Sequence, residues 1–263
     1  MKALPSLQAM WNEYGGKGLN MYLLESQGTA EEKLKAFLKG KGFTAPVQMG
    51  GMGGYPGDRG LPFAYVIGVD GTVVFEGRGD YHAAVKAEMA KIKYPGLGKL
   101  DVAKGLEKAA GNFVAKAYSK AIDDCNSVIE KGKDEAAIED AKFIIERCNA
   151  EGAKLRARVD KAKEEKRYLD AFADLETLSS GFKGMELGDT AANEIKELKK
   201  DKEVKREVDA ANNLIKLREN VAKMKTKTEK ATALRNFAKQ KANEGTRAGE
   251  DAKAEADRVE SES

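Results

Sequence analysis

Cysteine is scarce in this chain of 263 residues, two in all, and histidine and tryptophan occur once each. A single histidine, His82, excludes a multi-histidine metal cluster and any pair of histidines working as acid and base. Proline is limited to five residues, all at or before Pro95. No run of about twenty apolar residues occurs, so no segment reads as a membrane-spanning helix, and no signal peptide is visible. Neither sign of charge prevails. The formal charge is +3 although 34% of residues are charged, and acidic side chains interleave with the lysines over residues 196–241 before residues 250–260 turn acidic. Mixed signs of this kind describe a solvated helix surface and give no case for nucleic acid.

What is present divides the chain in two. Glycine is concentrated early, with 18 of its 27 residues in the first 98, and the remainder is rich in Ala, Lys and Glu. The break falls in Tyr94-Pro95-Gly96-Leu97-Gly98, which separates a region 1–96 from a region 97–263 whose polar end, from about residue 240, is expected to fray or stay disordered. In the first region, residues 5–14 read as a helix and 18–25 as a strand. Thr29-Ala30-Glu31-Glu32 has the form of a capping box opening a helix with Leu34, Phe37 and Leu38. After Leu61-Pro62 come two β-branched and aromatic runs, 63–69 and 72–76, joined by the hairpin dipeptide Asp70-Gly71. Asp80 can cap a last helix carrying Val85, Met89 and Ile92. Proline cannot donate to a sheet ladder, so Pro62 belongs at a strand start, an edge or a tight turn.

The order helix, strand, helix, two strands, helix, with Leu61-Pro62 opening the first hairpin strand, resembles a thioredoxin-like domain of the redoxin or TlpA type. The resemblance implies an α+β architecture, an incomplete thioredoxin-like α/β domain, followed by an all-α helical region. It also implies thiol-disulfide oxidoreductase chemistry in redox homeostasis, in which a low-pKa thiolate at a helix N-terminus attacks a protein disulfide. Gly60, Leu61 and Pro62 match the cis-proline segment that lines the substrate groove. No residue matches the nucleophile: if Pro5 is the helix proline of the family, the Cys-x-x-Cys falls before Met1, so the chain as given lacks catalytic residues and a first strand. The family requires no metal or other cofactor, and its exported members suggest an extracytoplasmic setting. The alternative is a non-catalytic protein-binding scaffold that uses the domain as a platform and the helices as an interaction surface. The partner is then a protein disulfide substrate or another protein, with self-association left open.

Beyond residue 100 the apolar residues recur at helical spacing. Phe113, Ala117, Ala121, Cys125 and Val128 form one stripe, and Ile138, Ala141, Ile145 and Cys148 another. The two helices meet at Gly132 and Asp134, a C-cap and an N-cap. A second hairpin is expected from 168–175 and 190–198, and a further helix carries Val204, Val208, Leu214 and Leu217. Tyr118 followed by Ala121, and Tyr168 followed by Ala171, resemble tetratricopeptide-like repeats, but their offset of 50 exceeds the usual spacing of about 34. Cys125 and Cys148 sit roughly 12 Å out of register across the first hairpin at about 1.5 Å per residue, beyond the roughly 7 Å limit for a disulfide, and are expected as buried free thiols. The glycine-rich residues 49–60 lead into a strand rather than a helix and lack Lys-Ser or Lys-Thr, so they read as a mobile loop near the groove and not as a phosphate loop. Met49 and Met52 lack the Cys or His partners of a soft-metal site. Trp11 fits either core packing or the groove surface, and His82 the surface of the last helix of this region.

Overall fold

The computed structural model describes residues 3–25, 28–50, 63–132 and 134–261. Its contacts divide the chain into two units, residues 1–114 with 134–140, and residues 115–133 with 141–263.

The first unit contains α1 (Leu4–Tyr14), β1 (Leu23–Glu25), α2 (Glu31–Gly40), β2 (Val47–Met49), β3 (Ala64–Ile67), β4 (Val73–Gly77), α3 (Tyr81–Met89) and α4 (Glu107–Val114). Pro5 lies in the first turn of α1, where its missing N–H costs nothing. The Asp70-Gly71 hairpin forms as expected: Gly71 takes φ +84, and Asp70 accepts hydrogen bonds from the Thr72 amide and hydroxyl. Asp80 caps α3 by accepting from the His82 amide. The capping box on α2 does not form. Ala30 is the N-cap, and the Thr29 hydroxyl donates instead to Glu25.

The α/β expectation for this region does not hold. Among the described residues β1 pairs only with β2, in parallel, and β3 only with β4, antiparallel, giving two separate two-stranded sheets in a chain of eleven α-helices. The protein is mainly helical and is not a thioredoxin-like α/β domain. The physical reason is length: strands of three to five residues offer too few ladder bonds to build one sheet. The predicted strand 18–25 shrinks to three residues, while Leu19 and Met21 pack as side chains into two small clusters. One of these joins Met10, Val66 and Val85; the other joins Leu38, Phe43 and Ala45 with Trp11, which settles Trp11 as a packing residue. Gly60, Leu61 and Pro62, with most of the glycine-rich stretch and Met52, lie outside the described residues.

The second unit holds α5 (Tyr118–Lys131), most of α6 (Glu135–Glu164), α7 (Tyr168–Gly181), α8 (Glu186–Lys200), α9 (Lys202–Lys223), α10 (Lys227–Lys239) and α11 (Arg247–Ser261). Gly132 ends α5 in the left-handed conformation, Asp134 accepts from Ala136 N–H at the start of α6, and Asp201 caps α9 through Glu203 and Val204 N–H. Residues 247–261 form a packed helix rather than fraying. Ala248, Ala252 and Ala256 are buried along α11 against Leu214, Leu234 and Phe237. Small residues let α11 approach closely, and that burial needs no large apolar side chain.

Two repetitions run through this unit. Lys116 and Lys166 are the only non-glycine residues with positive φ among the described ones, at +58 and +55, and the residues after them, Ala117 and Arg167, share φ −88 and ψ +63 as α5 and α7 begin. The offset of 50 is therefore a structural repeat. It exceeds the tetratricopeptide spacing because α6 alone runs for 30 residues. The other repetition relates α6–α8 to α9–α11. Phe182-Lys183-Gly184-Met185-Glu186-Leu187-Gly188 and Asn243-Glu244-Gly245-Thr246-Arg247-Ala248-Gly249 lie 61 residues apart. In each, the first glycine takes a left-handed φ, +81 and +72, and the second packs against a carbonyl six residues earlier. Arg156 pairs with Glu194 across α6 and α8, and Arg218 with Glu255 across α9 and α11, at matching positions. Val159 and Val221, Leu175 and Leu234, Leu178 and Phe237, and Ala191 and Ala252 are the matching buried residues.

Candidate functional site

The two thiols are the natural starting point for chemistry. Both are free and fully buried, Cys125 on α5 and Cys148 on α6. Burial pushes both thiols up to about 12, with the Asp124 charge adding to the effect on Cys125 and the neighbouring Cys125 adding to that on Cys148. A nucleophilic thiol needs the opposite environment, cationic and accessible. These residues pack the core. His82 is half-buried beside Tyr81, its ring stacked at 4.5 Å, with Nδ1 3.5 Å from Asp80. Among the described residues no cluster of three or more His, Cys, Asp or Glu could hold a metal, and no helix is long and apolar enough to cross a membrane.

Polar chemistry concentrates instead where α9 meets the α10–α11 turn. Asp201 starts α9 so that Lys202, Lys205, Asp209 and Asn213 follow one another along one face, three or four residues apart, with Arg206 next to Lys205. Arg206 crosses to the turn, donating from Nε to the Ala242 carbonyl at 3.2 Å and from Nη2 to the Glu244 carbonyl. One residue on, Glu207 is buried and accepts from the Arg247 N–H at 2.8 Å, with Lys166 Nζ 3.9 Å away. The turn is also held from within. Asn243 Nδ2 donates to the Phe237 carbonyl and to Gln240 Oε1, both at 3.0 Å, and the Thr246 hydroxyl donates to the Asn243 carbonyl at 2.6 Å. Together these bonds fix the wall of a cleft of about 250 Å³ lined by Lys202, Lys205, Arg206, Asp209, Asn213 and Asn243 over small Ala210 and Ala242.

Two features of this cleft stand out. Lys202 and Lys205 are exposed and their ammonium groups make no ion pair among the described residues. Asn243 is 2% exposed, yet its Oδ1 is buried without a hydrogen-bond partner. The corresponding places of the first copy are Phe143, Ile144, Cys148 and Phe182, matching Lys205, Arg206, Ala210 and Asn243. There Phe182 stacks on Tyr118 at 5.0 Å, and Ile144 and Cys148 are fully buried. At these four places one copy is apolar and filled where the other carries Lys205, Arg206, Ala210 and Asn243, while Lys202, Asp209 and Asn213 match the polar Asp140, Arg147 and Glu151.

No known protein family, curated protein or solved structure matches this chain. The functional reading therefore rests on the geometry.

A second, shallower depression of about 470 Å³ lies between the Ala115-Lys116-Ala117 turn and α7, lined by Ala173, Glu176, Thr177 and Ser180. The Thr177 and Ser180 hydroxyls donate to carbonyls of their own helix, so they are already committed. The cleft on α9 could have been anticipated from Lys202-x-x-Lys205-Arg206 following a capping aspartate. Asn243 could not, because its burial depends on the turn closing over it.

Proposed function

We propose that the protein is a non-catalytic scaffold whose helical unit binds another protein. The observation that supports this reading best is the tandem stacking of α6–α8 and α9–α11. Such an array buries its core between successive repeats and leaves extended helix faces available for a partner. The left-handed turns at Lys116 and Lys166, each opening a Tyr-x-x-Ala helix, favour a tetratricopeptide-like character for these hairpins. Against redox catalysis stands the burial of the only two thiols, whose protons are held tightly.

The test has two parts. The full chain should give background insulin disulfide reduction, and its native thiols should resist a disulfide reagent at neutral pH while both react in denaturant. In parallel, a protein captured by the full chain should, once purified, bind it saturably at a fixed stoichiometry. Clear reductase turnover, or the failure of every captured candidate to bind when purified, would overturn the scaffold reading.

A further inference from the structure

We propose that the cleft between α9 and the α10–α11 turn docks an acidic, extended peptide segment of a partner protein; this rests on the scaffold reading and specifies its contact. Charge complementarity selects the occupant. Lys202, Lys205 and Arg206 face the cleft against Asp209 alone, and the first two have no internal counter-charge among the described residues. Carboxylates of the peptide pair with those exposed ammonium groups, an attraction that added salt screens.

The remaining groups favour a peptide over a nucleic acid. Asp209, exposed on the cleft, is an acceptor and wants donors. A peptide backbone brings N–H groups at regular intervals beside its carboxylates, whereas a phosphodiester chain brings none, and its evenly spaced charges would be repelled by Asp209. Asn213 offers both an acceptor and a donor to a peptide unit. At about 250 Å³ the cleft accommodates a short stretch of peptide rather than a folded domain. The comparison of the two copies supports the assignment independently. At positions where the first copy carries Ile144 and Phe182 for packing, the second carries Arg206 and Asn243, and Asn243 leaves a buried acceptor unsatisfied. An unmet buried acceptor costs about 1–3 kcal/mol, set against the two hydrogen bonds that Asn243 Nδ2 donates within the turn.

The test uses the full chain and fluorescence anisotropy with labelled octaglutamate, octalysine and an oligothymidylate. Octaglutamate should bind saturably, octalysine should not, and about 0.5 M salt should weaken the complex. The double variant Lys202→Glu/Lys205→Glu should lose at least about tenfold in affinity, and Lys202→Ala/Lys205→Ala a smaller but measurable part. Lys216→Glu/Lys223→Glu, on the same helix and with the same charge change, should bind as the parent does. All variants alter exposed side chains, and circular dichroism melts check that they fold. Absence of saturable octaglutamate binding, equal loss in both glutamate pairs, or tighter cleft-dependent binding of the oligothymidylate would each overturn the proposal. If octaglutamate fails while a purified partner still binds, the cleft assignment falls and the scaffold stands; reductase turnover would instead remove the scaffold.

Discussion

Single glycines decide whether the helical hairpins can close. A methyl group on Gly188 would lie 2.1 Å from the Phe182 carbonyl oxygen, and one on Gly249 2.3 Å from that of Asn243. Both obstacles are backbone and cannot swing aside. Gly111 on α4 is the contrasting case: it has nothing within 4 Å of an added methyl and sits inside a helix, where glycine is a liability. Gly188→Ala and Gly249→Ala should each destabilise the protein by about 2–4 kcal/mol, whereas Gly111→Ala should stabilise it by about 0.5–1 kcal/mol. Urea unfolding measures all three. Equal midpoints for Gly188→Ala and the parent would mean that α8 can withdraw from the turn. From the sequence alone a glycine inside a helix looks like a defect, and only the carbonyl it meets reveals its purpose.

At the scale of elements, the ion pairs that tie a long helix to the last helix of each copy differ in strength. Glu194 accepts from both Arg156 and Lys163, with Arg156 also bonded to Asp160, and its side chain is 19% exposed. Among the described residues Glu255 pairs with Arg218 alone, itself 47% exposed, so solvent screens most of that pair. Glu194→Gln should cost about 1–2 kcal/mol and Glu255→Gln less than about 1 kcal/mol, by thermal melts. Hydrogen bonds from Arg156, and then Lys163, hold the Glu194 carboxyl below its ordinary value of 4.5. A depressed carboxylate contributes stability that is present above the unfolded value and fades as pH falls through the folded one. The parent should therefore lose its advantage over Glu194→Gln on acidification below about pH 4.5, the unfolded carboxyl range; a gap that stays constant down to pH about 3 would contradict this. Helix positions were legible because caps and periodicity are local: Asp80, Gly132 and Asp134 all act within a turn of where they stand. The sheet was not legible, since pairing depends on distant strands, and Leu19 and Met21 satisfied a strand pattern while serving as side-chain packing. The 61-residue repetition was not legible, since it is carried by glycine geometry and paired charges, with Phe182 and Asn243 chemically unlike.

At the scale of the whole molecule, stability is distributed unevenly. In the first unit the β3–β4 hairpin is a two-stranded pair over a small cluster, and its Ile67 and Val73 are 53% and 52% exposed, although Leu97, Leu106 and Ala110 elsewhere in that unit are fully buried. Isolated two-stranded pairs are marginal in water. The second unit contains the continuous core of α9, α10 and α11, closed by Leu234, Ala252 and Ala256 with no exposure. Hydrogen exchange followed by mass spectrometry should show β3 and β4 amides exchanging at least about tenfold faster than those in the middles of α10 and α11. Uniform protection across both units would contradict that gradient. The candidate site lies on the second unit, so its lining stands on the better-protected half. The paired architecture of α6–α8 and α9–α11 has a further consequence in evolutionary terms. Once a packing unit exists twice, one copy can fill space, as Phe182 and Ile144 do, and release the other from that task. Mutations that would be purged from a single copy then become raw material, and a recognition surface can arise at Asn243 and Arg206 by divergence within one chain rather than by acquiring a new domain.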